Sequence, residues 1–195
     1  QSFRAERLSP SGIHRMLPNE AWKILEEAEL LCDSESVQRA IKRMAGDISA
    51  RLQESNPIVL VIMRGGVFLA GQLLPFLRFP LELEYAHASR YGDMTSGGTL
   101  RWTVAPPASV RGRAVLVLDD ILDAGETLLA VRAEVLSLGA TSCHLAVLAQ
   151  KDIGRSKPVN ADFVGVTLPN RFVFGCGLDV HGAWRNLPEI YALGG

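Results

Sequence analysis

Three acids, a glycine and a threonine crowd the end of an apolar run in Ala114-Val-Leu-Val-Leu-Asp119-Asp120-Ile-Leu-Asp123-Ala124-Gly125-Glu126-Thr127. Carboxylates gathered at the tip of a hydrophobic strand are costly unless cations or hydroxyls meet them. Gly125 and Thr127 then open a helix, whose free N–H groups and dipole favour a phosphate. The pattern points to a polyol phosphate held together with a metal. A lone glycine separates the loop from a Walker A sequence. The plainer alternative makes the acids solvated or helix-capping groups and Gly125 a turn residue.

Further segments could serve the same site. Met63-Arg64-Gly65-Gly66 ends the run Ile58–Met63 with a cation and two glycines; an ordinary strand-to-helix turn, using glycine for a positive φ, is the competing view. Lys151, followed by Asp152 and Arg155, ends the run from Cys143 to Gln150, where a solvated surface charge is the simpler account. In Leu168-Pro169-Asn170-Arg171-Phe172-Val173-Phe174-Gly175, Phe172 offers a ring that could stack on a flat ligand or pack into a core. Gly175-Cys176-Gly177-Leu178-Asp179 and Trp184-Arg185 add an acid and a cation. Ser89-Arg90-Tyr91 leads into a glycine-rich stretch at 92–98 that suits a mobile ribbon tip. His14, His87, His144 and His181 show no metal-site spacing and are assigned to structure or surface.

Positioning these groups requires an α/β frame. From Asn19 to Leu52, apolar residues recur at helical spacing (Trp22, Leu25, Ala28; Val37, Ile41, Met44, Ile48, Leu52), broken near Cys32, where Asp33 or Ser34 can cap a second helix. Two amphipathic helices are therefore expected to open the fold. Ile58–Met63 reads as a strand buried on both faces. A helix from Val67 to about Leu74, a strand near 81–88 and an extended segment at 100–104 follow. Strand 114–118, helix 126–138, strand 142–149 and strand 163–166 then alternate, which implies a central, mostly parallel sheet flanked by helices. In such sheets ligands sit beyond the carboxyl ends of the strands, so the segments after Met63, Leu118, Ala149 and Val166 should converge. Residues 1–17 read as a tail and 18–195 as a single domain.

Composition narrows the classes. The chain has 195 residues, 48% hydrophobic and 21% charged, enough for one core that buries roughly 70% of the unfolded surface. Lys and Arg number 20 against 21 Asp and Glu, a formal net charge of -1, so no basic field exists to hold nucleic acid by counterion release. No apolar run approaches the ~20 residues of a membrane span, and the N-terminal stretch is charged where a signal peptide would be apolar. Cys32, Cys143 and Cys176 lack Cys-x-x-Cys spacing and are expected to be reduced, structural thiols. A cytoplasmic protein is expected.

The strand–acid–acid–Ile/Leu–Asp–small–Gly–Thr order of 114–127 resembles the signature of the type I phosphoribosyltransferases. From about residue 35 to 193 the chain resembles, more narrowly, the hypoxanthine-guanine phosphoribosyltransferases. That resemblance implies the family's fold, an α/β sheet with a small hood, contributed mainly after residue 167, and a flexible lid ribbon. It implies transfer of the 5-phosphoribosyl group of PRPP to hypoxanthine or guanine, giving IMP or GMP and pyrophosphate with Mg2+, by a homodimer or homotetramer. It puts the 5-phosphate on Asp123, Ala124, Gly125, Glu126 and Thr127, the ribose hydroxyls on Asp119 and Asp120, and the pyrophosphate on Arg64, Gly65, Arg155 and Arg185. Lys151 would donate to purine O6, Phe172 would stack, and the Val173 backbone would read the base edge. Asp179 would serve the base and, with Asp119 and Asp120, the Mg2+ side; Asp123 would take the N7 proton; Ser89, Arg90 and Tyr91 would belong to the lid. Arg64 stands where the family commonly has Lys, and the peptide before that residue is often cis. Ala124 stands where it usually has Thr or Ser. A xanthine-guanine or other-base transferase, and a non-catalytic PRPP or nucleotide sensor on the same fold, remain as alternatives.

Overall fold

The computed structural model describes residues 16–90 and 100–194. The elements in chain order are α1 (Pro18–Glu26), β1 (Glu29–Cys32), α2 (Ser34–Leu52), β2 (Ile58–Met63), α3 (Gly66–Leu73), β3 (Glu82–Arg90) and β4 (Leu100–Val104), then β5 (Ala114–Leu122), α4 (Glu126–Ser137), β6 (Ser142–Asp152), β7 (Phe163–Pro169), β8 (Val173–Phe174) and β9 (Ile190–Ala192). Six strands form one sheet in the order β4-β3-β2-β5-β6-β7. Every neighbouring pair is parallel except β3 with β4. The α/β architecture expected from the alternating pattern is the one observed.

Period-2 side-chain alternation divides the core between the two faces of this sheet. On β2, Val59 and Val61 join Leu116, Leu118 and Leu148 in one cluster with α2 and α3. Ile58, Leu60 and Ile62 face the other way and meet Val115, Val117, Leu145 and the α4 residues Leu128, Val131 and Val135. Both faces are covered, so β2 and β5 are continuous apolar runs. Each fully buried Leu or Ile contributes roughly 1.5–3 kcal/mol relative to its exposed state. The N-cap of α2 is Asp33, whose Oδ1 accepts from the Ser36 N–H at 2.7 Å.

The opening of the fold differs from two helices in succession. A strand, β1, stands between them and pairs antiparallel with β9, which in turn pairs with β8. The helical spacing predicts a break only near Cys32, but partners from the far end of the chain draw Glu29–Cys32 into a strand. Two of the three strands of this small sheet come from after residue 167. The site strands also run further than expected. Ladder pairs Ile121↔Ala149, Gln150↔Leu122 and Lys151↔Leu168 carry β5 through its acids and β6 past Lys151, because continued pairing with flanking strands outweighs the low strand propensity of Asp and Lys. The β3–β4 pair, from His87↔Val104 to Arg90↔Leu100, brackets the residues assigned to the lid tip; Tyr91 and 92–98 lie outside the described residues, as do residues 1–15 with His14.

Candidate active site

The carboxyl end of β5 places Asp119 and Asp120 side by side on one strand, so one carboxylate turns inward and the other toward the crevice. Asp119 is 9% exposed, and its Oδ1 accepts the Asp120 N–H at 2.9 Å. Burial pushes the Asp119 carboxyl well above the usual carboxylate range, and the charge of Asp120 pushes it further. Burial raises Asp120 as well, while its contact with Asp119 and the Arg185 guanidinium oppose the rise. Arg185 Nη1 stands 3.9 Å from Asp120 Oδ2. Burial thus works against the ionised form of both carboxylates, and a nearby cation or hydroxyl donors would favour it.

β2 delivers the second wall. The Met63–Arg64 peptide is cis, Arg64 is exposed and Gly65 is buried. Gly65 has φ -61, so its lack of a side chain serves proximity rather than a positive φ: a Cβ there would overlap the Asp120 carboxylate. The chain does turn here from strand to helix, but without the positive φ that the plainer alternative gave these glycines. Gly177 closes the third side, packed against the Gly65 carbonyl, and its own carbonyl accepts from Arg185 Nη1 at 2.6 Å. Arg185 also pairs through Nη2 with Asp179 Oδ1, while Asp179 Oδ2 accepts the Gly182 N–H at 2.7 Å. Arg185 thus joins Asp179, Gly177 and Asp120 in one network.

Beyond β5 the chain turns at Gly125, whose φ of +93 suits a residue without Cβ, and enters α4. Asp119 to Leu128 line a cavity of about 290 Å³ there. Asp123 and Glu126 are exposed, with Ala124 and Thr127 half-buried. Lys151 Nζ donates to Asp123 Oδ2 at 2.7 Å, linking the ends of β6 and β5. Arg155 lies exposed on the connection after β6. Phe172 is 53% exposed, whereas Val173 is buried in β8, paired with Ala192. Arg171 anchors the approach to Phe172 by donating to Glu29 Oε2 and, at 2.9 Å, to the Leu193 carbonyl. Ser89 and Arg90 end β3.

The segments singled out in the sequence after β2, β5 and β6 therefore meet, with the Cys176–Arg185 stretch joined to them. Sequence reasoning passed over Lys157, whose Nζ donates to the Leu122 carbonyl at 2.9 Å and to the Lys151 carbonyl at 2.5 Å. No spacing signal marks it, because a loop lysine is ordinarily solvated. The role of Gly177 was equally hidden, since close backbone approach leaves no trace in composition. Among the described residues no three His, Cys, Asp or Glu side chains group tightly enough to hold a metal alone.

Comparison with known proteins places this geometry. Residues 29–181 match the family described as the phosphoribosyl transferase domain. The chain is similar to the hypoxanthine-guanine-xanthine phosphoribosyltransferase of Tritrichomonas foetus, 32% identical over 83% of this chain and 88% of that protein. It is similar to the hypoxanthine-guanine phosphoribosyltransferase of Aquifex aeolicus, 34% identical over 85% of this chain and 94% of the relative. The structure of a Trypanosoma cruzi hypoxanthine phosphoribosyltransferase in a ternary substrates complex superposes with a TM-score of 0.78 at 32% identity, covering 86% of this chain and 96% of that one. Since the matched stretch takes in the acidic strand, the loop before α4 and Asp179, the chain belongs to the phosphoribosyl transferase family.

Proposed function

We propose that the protein transfers the 5-phosphoribosyl group of PRPP to N9 of hypoxanthine or guanine, giving IMP or GMP plus pyrophosphate in purine salvage. The Lys151–Asp123 pair carries this reading: a donor and an acceptor 2.7 Å apart match O6 and N7–H, which are neighbours on one edge of a 6-oxopurine. Adenine presents an amino group where O6 would be, and two facing donors leave a polar group unpaired, a mismatch that sites of this kind reject strongly. The names of the two curated relatives, both 6-oxopurine transferases, support the same choice.

Each residue then has a task within its chemistry. The N–H groups from Asp123 to Thr127 and the N-terminus of α4 hold the 5-phosphate, with Ala124 adding no hydroxyl. Asp119 and Asp120 accept from the ribose hydroxyls. Arg64, Arg155 and Arg185 with the Gly65 backbone take the pyrophosphate, Phe172 stacks on the base and the Val173 backbone reads its edge. As the base enters, Lys151 turns from Asp123 to O6, and the freed Asp123 carboxylate receives the N7 proton as the C1–O bond of PRPP opens. The three-stranded sheet covers the base, and Ser89, Arg90 and Tyr91 lead into a lid that excludes water.

The donor set fits Mg2+, a hard cation that takes one or two carboxylates together with phosphate oxygens and waters. Asp119 and Asp120, whose burial favours a neutralising cation, would hold it with Asp179, whose oxygens meet Arg185 and the Gly182 N–H. Bound there, the ion would offset charge on the departing pyrophosphate. A cytoplasmic homo-oligomer, dimer or tetramer, completes the reading. Exposed Val67, Leu83 and Tyr85 offer apolar surface to a second copy, and Cys32, Cys143 and Cys176 are buried free thiols. Among the described residues no helix is long and apolar enough to cross a membrane.

Replacing Lys151 tests the assignment. Lys151→Ala should lower kcat/KM for hypoxanthine and guanine by roughly 10²-fold or more, the scale of a lost charged hydrogen bond left with an unpaired acceptor, with PRPP affinity within a few fold. Loss of PRPP binding with base selectivity intact would overturn it.

A further inference from the structure

Lys157 lies outside every segment assigned a role above, on the connection between β6 and β7, and is half-buried. Its ammonium donates to two main-chain carbonyls, Leu122 at 2.9 Å and Lys151 at 2.5 Å. The first is the residue immediately before Asp123; the second is the backbone of Lys151 itself. Those two strand ends carry the 2.7 Å Lys151–Asp123 pair. The residues after Lys157 press on the same loop, for a Cβ at Gly125 would lie 3.3 Å from Pro158 Cδ and 3.4 Å from Val159 Cγ1. Lys157-Pro158-Val159 is therefore a strap laid across the turn from β5 into α4.

We propose that Lys157 is a positioning residue for base recognition: by binding both carbonyls it fixes the separation and orientation of Asp123 and Lys151, so that donor and acceptor meet one edge of the purine together. This rests on the functional reading above. The carbonyls concerned lie where β5 gives out and the ladder to β6 has ended at Leu122↔Gln150, so the ammonium supplies the cross-strand tie that backbone pairing no longer provides. Burial lowers the Lys157 pKa, while Asp123 and Asp152 favour its charged form and Lys151 opposes it. Two donors converging on two carbonyls also hold the loop in a direction that a lone packing contact would not.

The test compares wild type, Lys157→Met, which keeps the apolar stem and loses both donors, and Lys157→Arg, which keeps them. In Lys157→Met, hydrogen exchange of the amides from Asp123 to Thr127 should quicken while that of β2 and α2 stays unchanged. Its kcat/KM for hypoxanthine should fall ten- to a hundredfold, on the order expected for a misplaced reacting pair, with PRPP affinity by calorimetry within threefold. Lys157→Arg should recover most of both. Unchanged loop exchange in Lys157→Met, or a loss in hypoxanthine kcat/KM matched by an equal loss in PRPP affinity, would overturn the inference. Should Lys157→Met fail to fold, Lys157→Arg and Lys157→Gln decide: Gln is shorter and uncharged, so equal base kcat/KM in the two contradicts the role given to a cation reaching both carbonyls. A wild-type enzyme that converts no 6-oxopurine would instead overturn the functional reading, and the exchange measurement would still decide whether Lys157 holds the loop.

Discussion

Asp119 sits in an environment at odds with its charge, and its titration is the simplest handle on the ligand-free site. An unfolded Asp titrates near ~3.9; in the fold, burial and Asp120 raise that value. Below about pH 4 the carboxyl is protonated in both states. As pH climbs from there toward the raised folded value, the unfolded chain releases its proton and the folded chain keeps it, so stability falls across that window. Asp119→Asn keeps an acceptor for the Asp120 N–H and removes the buried charge. Thermal melts from pH 4 to 8 should show a shallower decline than wild type and a higher Tm at neutral pH, together with PRPP affinity weaker by about 10-fold or more. A steeper decline, or an unchanged PRPP affinity, contradicts the roles given to this pair. Asp123 belongs to the same scale. Asp123→Asn keeps size and backbone donors, so single-turnover nucleotide formation should slow on the order of 10²-fold with PRPP binding little changed. These acids were legible in the sequence because acids at an apolar strand end violate an ordinary burial rule. Lys157 was not, because its significance lies in two carbonyls that residue type cannot reveal.

Among the elements, the ends of β2 and β5 are matched to one another. Gly65 lets β2's exit lie against the Asp120 carboxylate, and Gly177 packs on the Gly65 carbonyl and Asp120 Cβ. Gly65→Ala must displace the Asp120 carboxylate. Urea unfolding should show a loss of about 1–3 kcal/mol, the scale of overpacking, and pyrophosphate affinity should fall with it; an unchanged affinity would show that the approach of these strands does not shape the site. The sequence disclosed the βαβ alternation, both faces of β2 and a cap at Asp33 or Ser34, of which the structure uses Asp33, because these follow from periodicity and local chemistry. It hid β1, whose partner β9 lies at the opposite end of the chain, and it stopped β5 and β6 short, since residues with low strand propensity are kept in register by neighbours on either side.

Over the whole molecule, a doubly covered, mostly parallel sheet supplies rigidity, and its carboxyl edge gathers charge whose burial is costly. The small sheet β1-β9-β8 ties Glu29–Cys32 to the residues beside Phe172, and Trp184 donates through Nε1 to the Ala21 carbonyl at 2.9 Å, fixing α1 next to Arg185. The first and last described elements are thus held beside Phe172 and Arg185. The central claim concerns which base that is. Incubation of the protein with PRPP and Mg2+ against hypoxanthine, guanine, xanthine, adenine and uracil, with nucleotide and pyrophosphate quantified together, tests it most directly. The account predicts IMP from hypoxanthine and GMP from guanine, each with one equivalent of pyrophosphate, and no nucleotide from adenine or uracil; turnover of adenine or uracil, or none of the 6-oxopurines, would contradict it.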